Sequence, residues 1–223
     1  MAGGRTAGKV VIITGAASGL GEADARALAK EGAQLMLTDI NSDAGEKVAA
    51  ECGAAFFSQD VSDEASWPEL IRSTVDRFGR LDGLVNNAGI AHVANIETET
   101  TEQWHRILRV HLDGTFFGCR AAMPELAKSG GGAIINMSST AALIGLSPYL
   151  AYSAAKGGIR SMTKSIAMYC RERRNGVRCN SVHPGSISTP MVHNALETLS
   201  GVKLMEQDDP EAARKAMGIG EPD

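Results

Sequence analysis

The stretch Lys9-Val-Val-Ile-Ile-Thr-Gly-Ala-Ala-Ser-Gly-Leu-Gly21 decides the fold. Residues 9–14 are apolar and β-branched with no polar alternation, the pattern of a strand buried on both faces. Glycines at 15, 19 and 21 follow, and the sequence after them predicts a helix from about 20 to 31, stopped at Gly32. Residues 34–38 read as a second strand, ending at Asp39. Together these pieces form one β-α-β unit.

That setting gives the glycines a meaning beyond a tight turn. Gly15, Gly19 and Gly21 let a pyrophosphate approach the backbone, while the start of the next helix offers N–H groups and a partial positive charge. Asp39 stands near the place of an acid that accepts hydrogen bonds from an adenosine ribose and repels a 2′-phosphate. Ser18 is neutral and Ile40 follows Asp39, so no arginine or lysine at either place neutralises an added phosphate. The expectation is NAD(H) over NADP(H). The bland alternative makes Asp39 a helix N-cap.

The alternation then continues. Helices are expected at about 42–51, 63–78 (with Ser62 as N-cap), 101–128 (opened by Thr-Thr-Glu-Gln) and 150–174. Strands are expected near 54–58, 81–85, 130–137 and 177–183. This order predicts one α/β domain over residues 1–223: a doubly wound (Rossmann) parallel sheet with helices on both faces and its ligand beyond the carboxyl ends of the strands. After Pro184 the chain is turn-rich, and a short amphipathic helix is expected at about 192–203. Residues 205–223 are polar, and a flap over the site and a loose tail both fit them.

Composition narrows the partners. With 43% hydrophobic and 22% charged residues the chain reads as globular rather than disordered. A net charge of −4 invites neither nucleic acid nor an anionic membrane. Cys52, Cys119, Cys170 and Cys179 lack close metal-type spacing and read as small apolar residues, so no metal is expected. No apolar run reaches the ~20 residues that span a bilayer, and no signal-peptide core opens the chain, so a cytoplasmic location is expected.

The chemistry points to Tyr152-Ser-Ala-Ala-Lys156. On a helix, this spacing puts the phenol and the ammonium on one face. A phenol titrates near pH ~10, and a neighbouring cation would draw it toward the neutral range, where it can exchange protons. Ser139, one loop upstream, could hydrogen-bond the same substrate oxygen. Taken alone, Tyr-x-x-x-Lys is also a common helical coincidence.

The Thr14-to-Gly21 turn, Asn86-Asn-Ala-Gly89, the Ser139, Tyr152 and Lys156 set, and Pro184-Gly185 together resemble the short-chain dehydrogenase/reductase family. The resemblance runs from about Lys9 to Met191. It implies that Tyr152 is the general acid/base, that Lys156 lowers its pKa and binds the nicotinamide ribose, and that Ser139 holds the substrate oxygen. It also implies that Asp60 and Val61 contact adenine, that Asn87 lies along the cofactor, and that Ile187 and Thr189 touch the carboxamide. Ser18, Leu20, Ala88, Gly89, Pro184 and Gly185 complete the implied cofactor-binding set.

Two features depart from the family pattern. His111 stands where the family usually has a water-holding asparagine; imidazole can join a proton relay or simply pack the helix. The chain also stops at Asp223, short of the usual last helix and seventh strand, so the family's last strand is expected to be missing. That region serves the family tetramer, so dimer or tetramer formation is expected only where it is present.

Ala141, Ala142, Leu143, Ile144, Leu146, Pro148, Tyr149, Met191 and Val192 are expected to wall the pocket, the last two from a substrate loop over about 184–205. With no arginine or lysine among them, a neutral, hydrophobic secondary alcohol or ketone is favoured. The wording of the strands looks most like bacterial NAD-dependent hydroxysteroid dehydrogenases. The alternatives are a 3-oxoacyl thioester reductase of the same family, or a catalytically silent dinucleotide-binding module. Cyclic alcohols and sugars stay open.

Overall fold

The computed structural model describes residues 4–200. Six parallel strands, β1 (Val10–Thr14), β2 (Gln34–Asp39), β3 (Ala55–Ser58), β4 (Gly83–Asn86), β5 (Gly132–Met137) and β6 (Val177–Val182), form one sheet in the order β3-β2-β1-β4-β5-β6. The order reverses between β1 and β4, and the strand ends splay apart there to leave a crevice. All five residues of β1 are buried, as its unbroken apolar run requires. Fully burying an isoleucine such as Ile12 or Ile13 contributes ~1.5–3 kcal/mol. β6 instead alternates, with Val177 and Cys179 buried and Arg178 and Asn180 exposed, so one of its faces is covered.

Helices α1 (Gly19–Lys30) and α2 (Ser42–Cys52) cover one face, and their core is Ile13, Ala25, Leu35, Leu37 and Val48. Helices α3 (Ser66–Phe78), α5 (Gly114–Lys128) and α6 (Leu150–Arg173) cover the other, around Trp67, Leu70, Leu84, Cys119, Ile134, Cys170 and Cys179. All four cysteines are free, three of them buried, as small apolar residues should be. No helix among the described residues is long and apolar enough to cross a membrane.

Several boundaries differ from expectation. Ser62 is not a helix cap. Asp60 accepts hydrogen bonds from the Ser62 N–H (2.9 Å) and hydroxyl (2.7 Å), and Asp63 accepts from the Ala65 N–H (3.0 Å), so tight turns occupy 60–65 and α3 starts at Ser66. Strand β4 begins at Gly83, not at 81, and ends one residue later than expected.

The helix expected over 101–128 also differs. It is α4 (Thr101–Leu108), a five-residue π-helical segment (Arg109–Asp113), then α5. Its start is capped as predicted, Thr100 Oγ accepting from the Gln103 N–H at 3.2 Å. A π segment inserts one extra residue into a turn, a change that hydrophobic periodicity does not record.

The last described element is α7 (Pro190–Ser200), beginning two residues earlier than expected. The expected remainder of that helix and of the substrate loop, and the polar segment 205–223, lie outside the described residues. Among the described residues there is no seventh strand.

Candidate active site

The crevice opens into a cleft of about 540 Å³ at the carboxyl ends of the strands. Thr14 builds its floor. Its hydroxyl accepts hydrogen bonds from the Asn87 N–H (3.1 Å) and the Ala88 N–H (3.0 Å), joining the end of β1 to the loop after β4. The Asn87 side-chain amide donates back to the carbonyls of Thr14 and Gly15, each at 3.0 Å. Gly15 sits at φ +64°, and a Cβ there would lie 2.6 Å from the Ala88 Cα. Only glycine lets the two loops meet.

Every expected cofactor-binding residue lines this cleft except one: Gly15, Ser18, Gly19, Leu20, Asp39, Asp60, Val61, Asn87, Ala88, Gly89, Tyr152, Lys156, Pro184, Gly185, Ile187 and Thr189. The exception is Gly21, which is buried beneath the turn. A Cβ on it would fall 2.2 Å from the Gly15 oxygen, so its task is close packing of helix against turn. Ser18 is the N-cap of α1 but makes no side-chain capping bond, which leaves first-turn N–H groups for a ligand. Asp39 is not a helix cap: Asn41 caps α2, accepting from the Ala44 N–H at 3.2 Å. The Asp39 carboxylate accepts from the Ala17 N–H (3.0 Å) and the Asn41 N–H (2.9 Å), which pins the turn across the end of β2. A glycine-lined floor, an uncapped helix start and a pinned carboxylate fit a dinucleotide.

Ser139, Tyr152, Lys156 and His111 converge on the other end of the same cleft. Tyr152 and Lys156 share a face of α6, with the Lys156 Nζ 5.4 Å from the centre of the Tyr152 ring. Lys156 is buried and donates to the Met137 carbonyl at 2.6 Å, and the Ser138 hydroxyl returns a bond to the Lys156 carbonyl at 2.9 Å. Ser139 Oγ accepts from the Ala141 N–H at 3.1 Å, and its hydroxyl faces the Tyr152 phenol.

One electrostatic expectation is overturned. The Tyr152 pKa lies above its ordinary value, not below it. Burial raises it, and the hydrogen bond with Ser139 opposes burial only in part. Lys156 is itself pushed down to about 7 by burial, so it carries only part of a charge at neutral pH and pulls weakly on the phenol.

His111 lies inside the π segment, 1% exposed, with its ring edge-on to Tyr152 at 5.3 Å. Its Nε2 is 2.7 Å from the Ile90 carbonyl oxygen and 3.1 Å from the Ile90 N–H. The shorter contact is to an acceptor, which places the proton on Nε2 and leaves Nδ1 as a buried lone pair with no partner among the described residues. Burial first, and Lys156 second, drive the ring's pKa down to about 3, so the imidazole is neutral. Gly89 makes room for it, since a Cβ there would lie 2.4 Å from His111 Cε1.

The expected substrate walls are only partly found. Met191 and Val192 line the cleft, whereas Ala141 is core and Leu143 and Ile144 are exposed. Arg106 and Arg109, outside the expected wall residues, also line it. Both are exposed, and neither guanidinium has an ion-pair partner among the described residues. The sequence reading looked only in the loops after β5 and β6 and so missed a helix across the cleft.

Residues 9–200 match the profile of the family described as short chain dehydrogenase. An NADP-dependent (R)-specific alcohol dehydrogenase of Lentilactobacillus kefiri is 42% identical over 224 residues, covering 98% of this chain and 86% of that protein. A 3-beta-hydroxysteroid dehydrogenase of Comamonas testosteroni is 38% identical over 213 residues, covering 94% and 83%. The crystal structure of levodione reductase superposes with a TM-score of 0.84 at 36% identity, covering 95% of this chain and 81% of that one. The chain belongs to the short-chain dehydrogenase/reductase family, oxidoreductases that work with a nicotinamide cofactor.

Proposed function

We propose that this protein is an NAD(H)-dependent oxidoreductase interconverting a neutral, hydrophobic secondary alcohol and its ketone. The observation that carries this reading is the meeting of Ser139, Tyr152, Lys156 and His111 at one end of a cleft whose other end is the glycine turn and Asp39. When bound, the nicotinamide would accept or give the hydride. Tyr152 moves the proton at the substrate oxygen, as base in oxidation and acid in reduction. Ser139, whose hydroxyl faces the phenol, turns its hydrogen to the same substrate oxygen and fixes its place. Lys156 stands behind the phenol, and His111 Nδ1 offers an acceptor at the inner end of the relay.

NAD(H) is preferred because Asp39 lies on the cleft with no cation beside it. NADP(H) is the second reading, supported by the cofactor named for the L. kefiri relative and by Arg106 and Arg109 on the cleft wall. The hydroxysteroid dehydrogenase relative supports a bulky apolar substrate. Exposed Phe116, Met168 and Tyr169 on α5 and α6 support self-association into a dimer or tetramer.

The test is absorbance at the NADH band with NAD⁺ or NADP⁺ and a panel of cyclohexanol, 1-phenylethanol and a 3-hydroxysteroid. A phosphate dianion facing a carboxylate costs several kcal/mol, so NAD⁺ is expected to be favoured at least about tenfold in kcat/KM. Equal use of both cofactors would remove the Asp39 argument. NAD⁺ binding without turnover of any alcohol would favour a silent module.

His111→Leu is expected to slow turnover while NAD⁺ binding is kept. The unfolded chain protonates this histidine below about pH 6.5 and the folded chain only near 3, so folded stability falls as pH drops through that window. His111→Leu should flatten that fall in thermal melts. Unchanged turnover at every pH would take His111 out of the mechanism.

A further inference from the structure

His183 does not line the cleft and was singled out by no motif, yet it is bonded to the backbone of Ser139. The β5–β6 ladder ends at the pair Met137 and Val182. Beyond it the chains stay stitched, with Ser138 N–H donating to the Val182 carbonyl at 2.8 Å and Thr140 N–H to the Pro184 carbonyl at 3.0 Å. Both bonds take donors from the serine side. Pro184 has no N–H, so strand β6 cannot return a backbone donor at that point.

The His183 ring adds a side-chain donor one residue further along, at a different carbonyl: its Nδ1 lies 3.1 Å from the Ser139 carbonyl oxygen. A carbonyl oxygen only accepts, so Nδ1 carries the proton. The other ring nitrogen, Nε2, is 3.0 Å from the Ser181 hydroxyl, which in the neutral ring donates to it. The ring is thereby held at both ends. Ser139 is in turn held on both sides, at its carbonyl by His183 and at its Oγ by the Ala141 N–H.

We propose that His183 is a positioning residue: braced by Ser181, its imidazole fixes the Ser139 peptide so that the serine hydroxyl points at the substrate oxygen. The proposal rests on the reading that Ser139 holds that oxygen. The stake is large because a misplacement of about 1 Å in a reacting group lowers a rate by about 10²-fold.

A double-mutant cycle tests it, with the panel alcohol that is oxidised fastest and with NAD⁺ affinity measured by calorimetry. His183→Leu is expected to lower kcat by about 10- to 100-fold with NAD⁺ affinity unchanged. His183→Asn, whose amide N–H reaches the same carbonyl, is expected to recover most of the loss. In a Ser139→Ala background His183→Leu is expected to cost nothing more, because the hydroxyl it aims is already gone. A merely structural histidine would lower kcat equally in both backgrounds, and that result overturns the proposal, as does full turnover in His183→Leu. If Ser139→Ala alone turns over normally, the reading of Ser139 has failed and takes this inference with it, an outcome visible before His183 is touched. Should His183→Leu not fold, Ser181→Ala loosens the same ring. It is expected to give a smaller kcat loss that vanishes in the Ser139→Ala background, and no loss at all would overturn the proposal.

Discussion

Tyr152→Phe is expected to lower alcohol oxidation about 10³-fold, within the usual worth of general acid–base catalysis, while NAD⁺ binds as before. The substitution is sharp because phenylalanine keeps the ring that meets His111 at 5.3 Å and Tyr149 at 6.3 Å, and removes only the hydroxyl. Packing is preserved, so the loss reports on the proton. NADH absorbance gives the rate and calorimetry the binding. Because burial holds the phenol above its ordinary pKa, oxidation by the wild type should rise with pH as the phenolate fraction grows. Reduction of the ketone, which needs the protonated phenol, should lack that rise. Tyr152→Phe should show neither dependence on this group.

Lys156→Met has an effect of two signs. Turnover should fall by about 10²-fold, since the residue read as holding the nicotinamide ribose beside the proton donor is lost. Stability should rise near neutrality. In the unfolded chain the amine keeps its proton up to about pH 10.5, whereas in the fold it gives it up near 7. Between those values the unfolded state binds more protons, so wild-type stability climbs with pH from about 7 to about 10.5, and the burial penalty is felt in full below about 7. A shift of that size corresponds to roughly 4–5 kcal/mol, more than the ~1–3 kcal/mol of leaving the Met137 carbonyl without its donor. Thermal melts should therefore place Lys156→Met above the wild type at pH 6–7, with the gap closing toward pH 10. A lower melting temperature at pH 7, or a gap constant with pH, would refute the burial argument.

What could be read in advance was set by short-range patterns. The run Val10–Thr14 with its glycines announces strand, turn and helix because each depends on a few neighbouring residues, and the structure follows it closely. Tyr152 and Lys156 were legible for the same reason, as helical spacing alone makes them neighbours. Features that leave no mark on the pattern of neighbouring residues were not. The π segment at His111 shifts one turn without altering composition, and Gly21 could be told from its fellow glycines only by knowing that Gly15 lies over it.

The electrostatic error had a similar origin. Spacing showed that Lys156 neighbours Tyr152, but not that both are buried enough for desolvation to win over attraction. Arg106 and Arg109 were passed over because they stand on a helix 30 or more residues from the loops read as the pocket. His183 carries no motif. Its part depends on a bond to a residue 44 positions away.

The central claim is that Tyr152, Ser139 and Lys156 face the nicotinamide ring of a dinucleotide whose pyrophosphate is seated on the Gly15–Gly21 turn. Its most direct test is to incubate the protein with NAD⁺ and 1-phenylethanol or a 3-hydroxysteroid deuterated at the carbinol carbon, and to locate the label by NMR. The account predicts deuterium at C4 of the nicotinamide with wild-type protein and none above background with Tyr152→Phe. Bound NAD⁺ that gains no label, or a Tyr152→Phe variant that labels it as fast as the wild type, would contradict it.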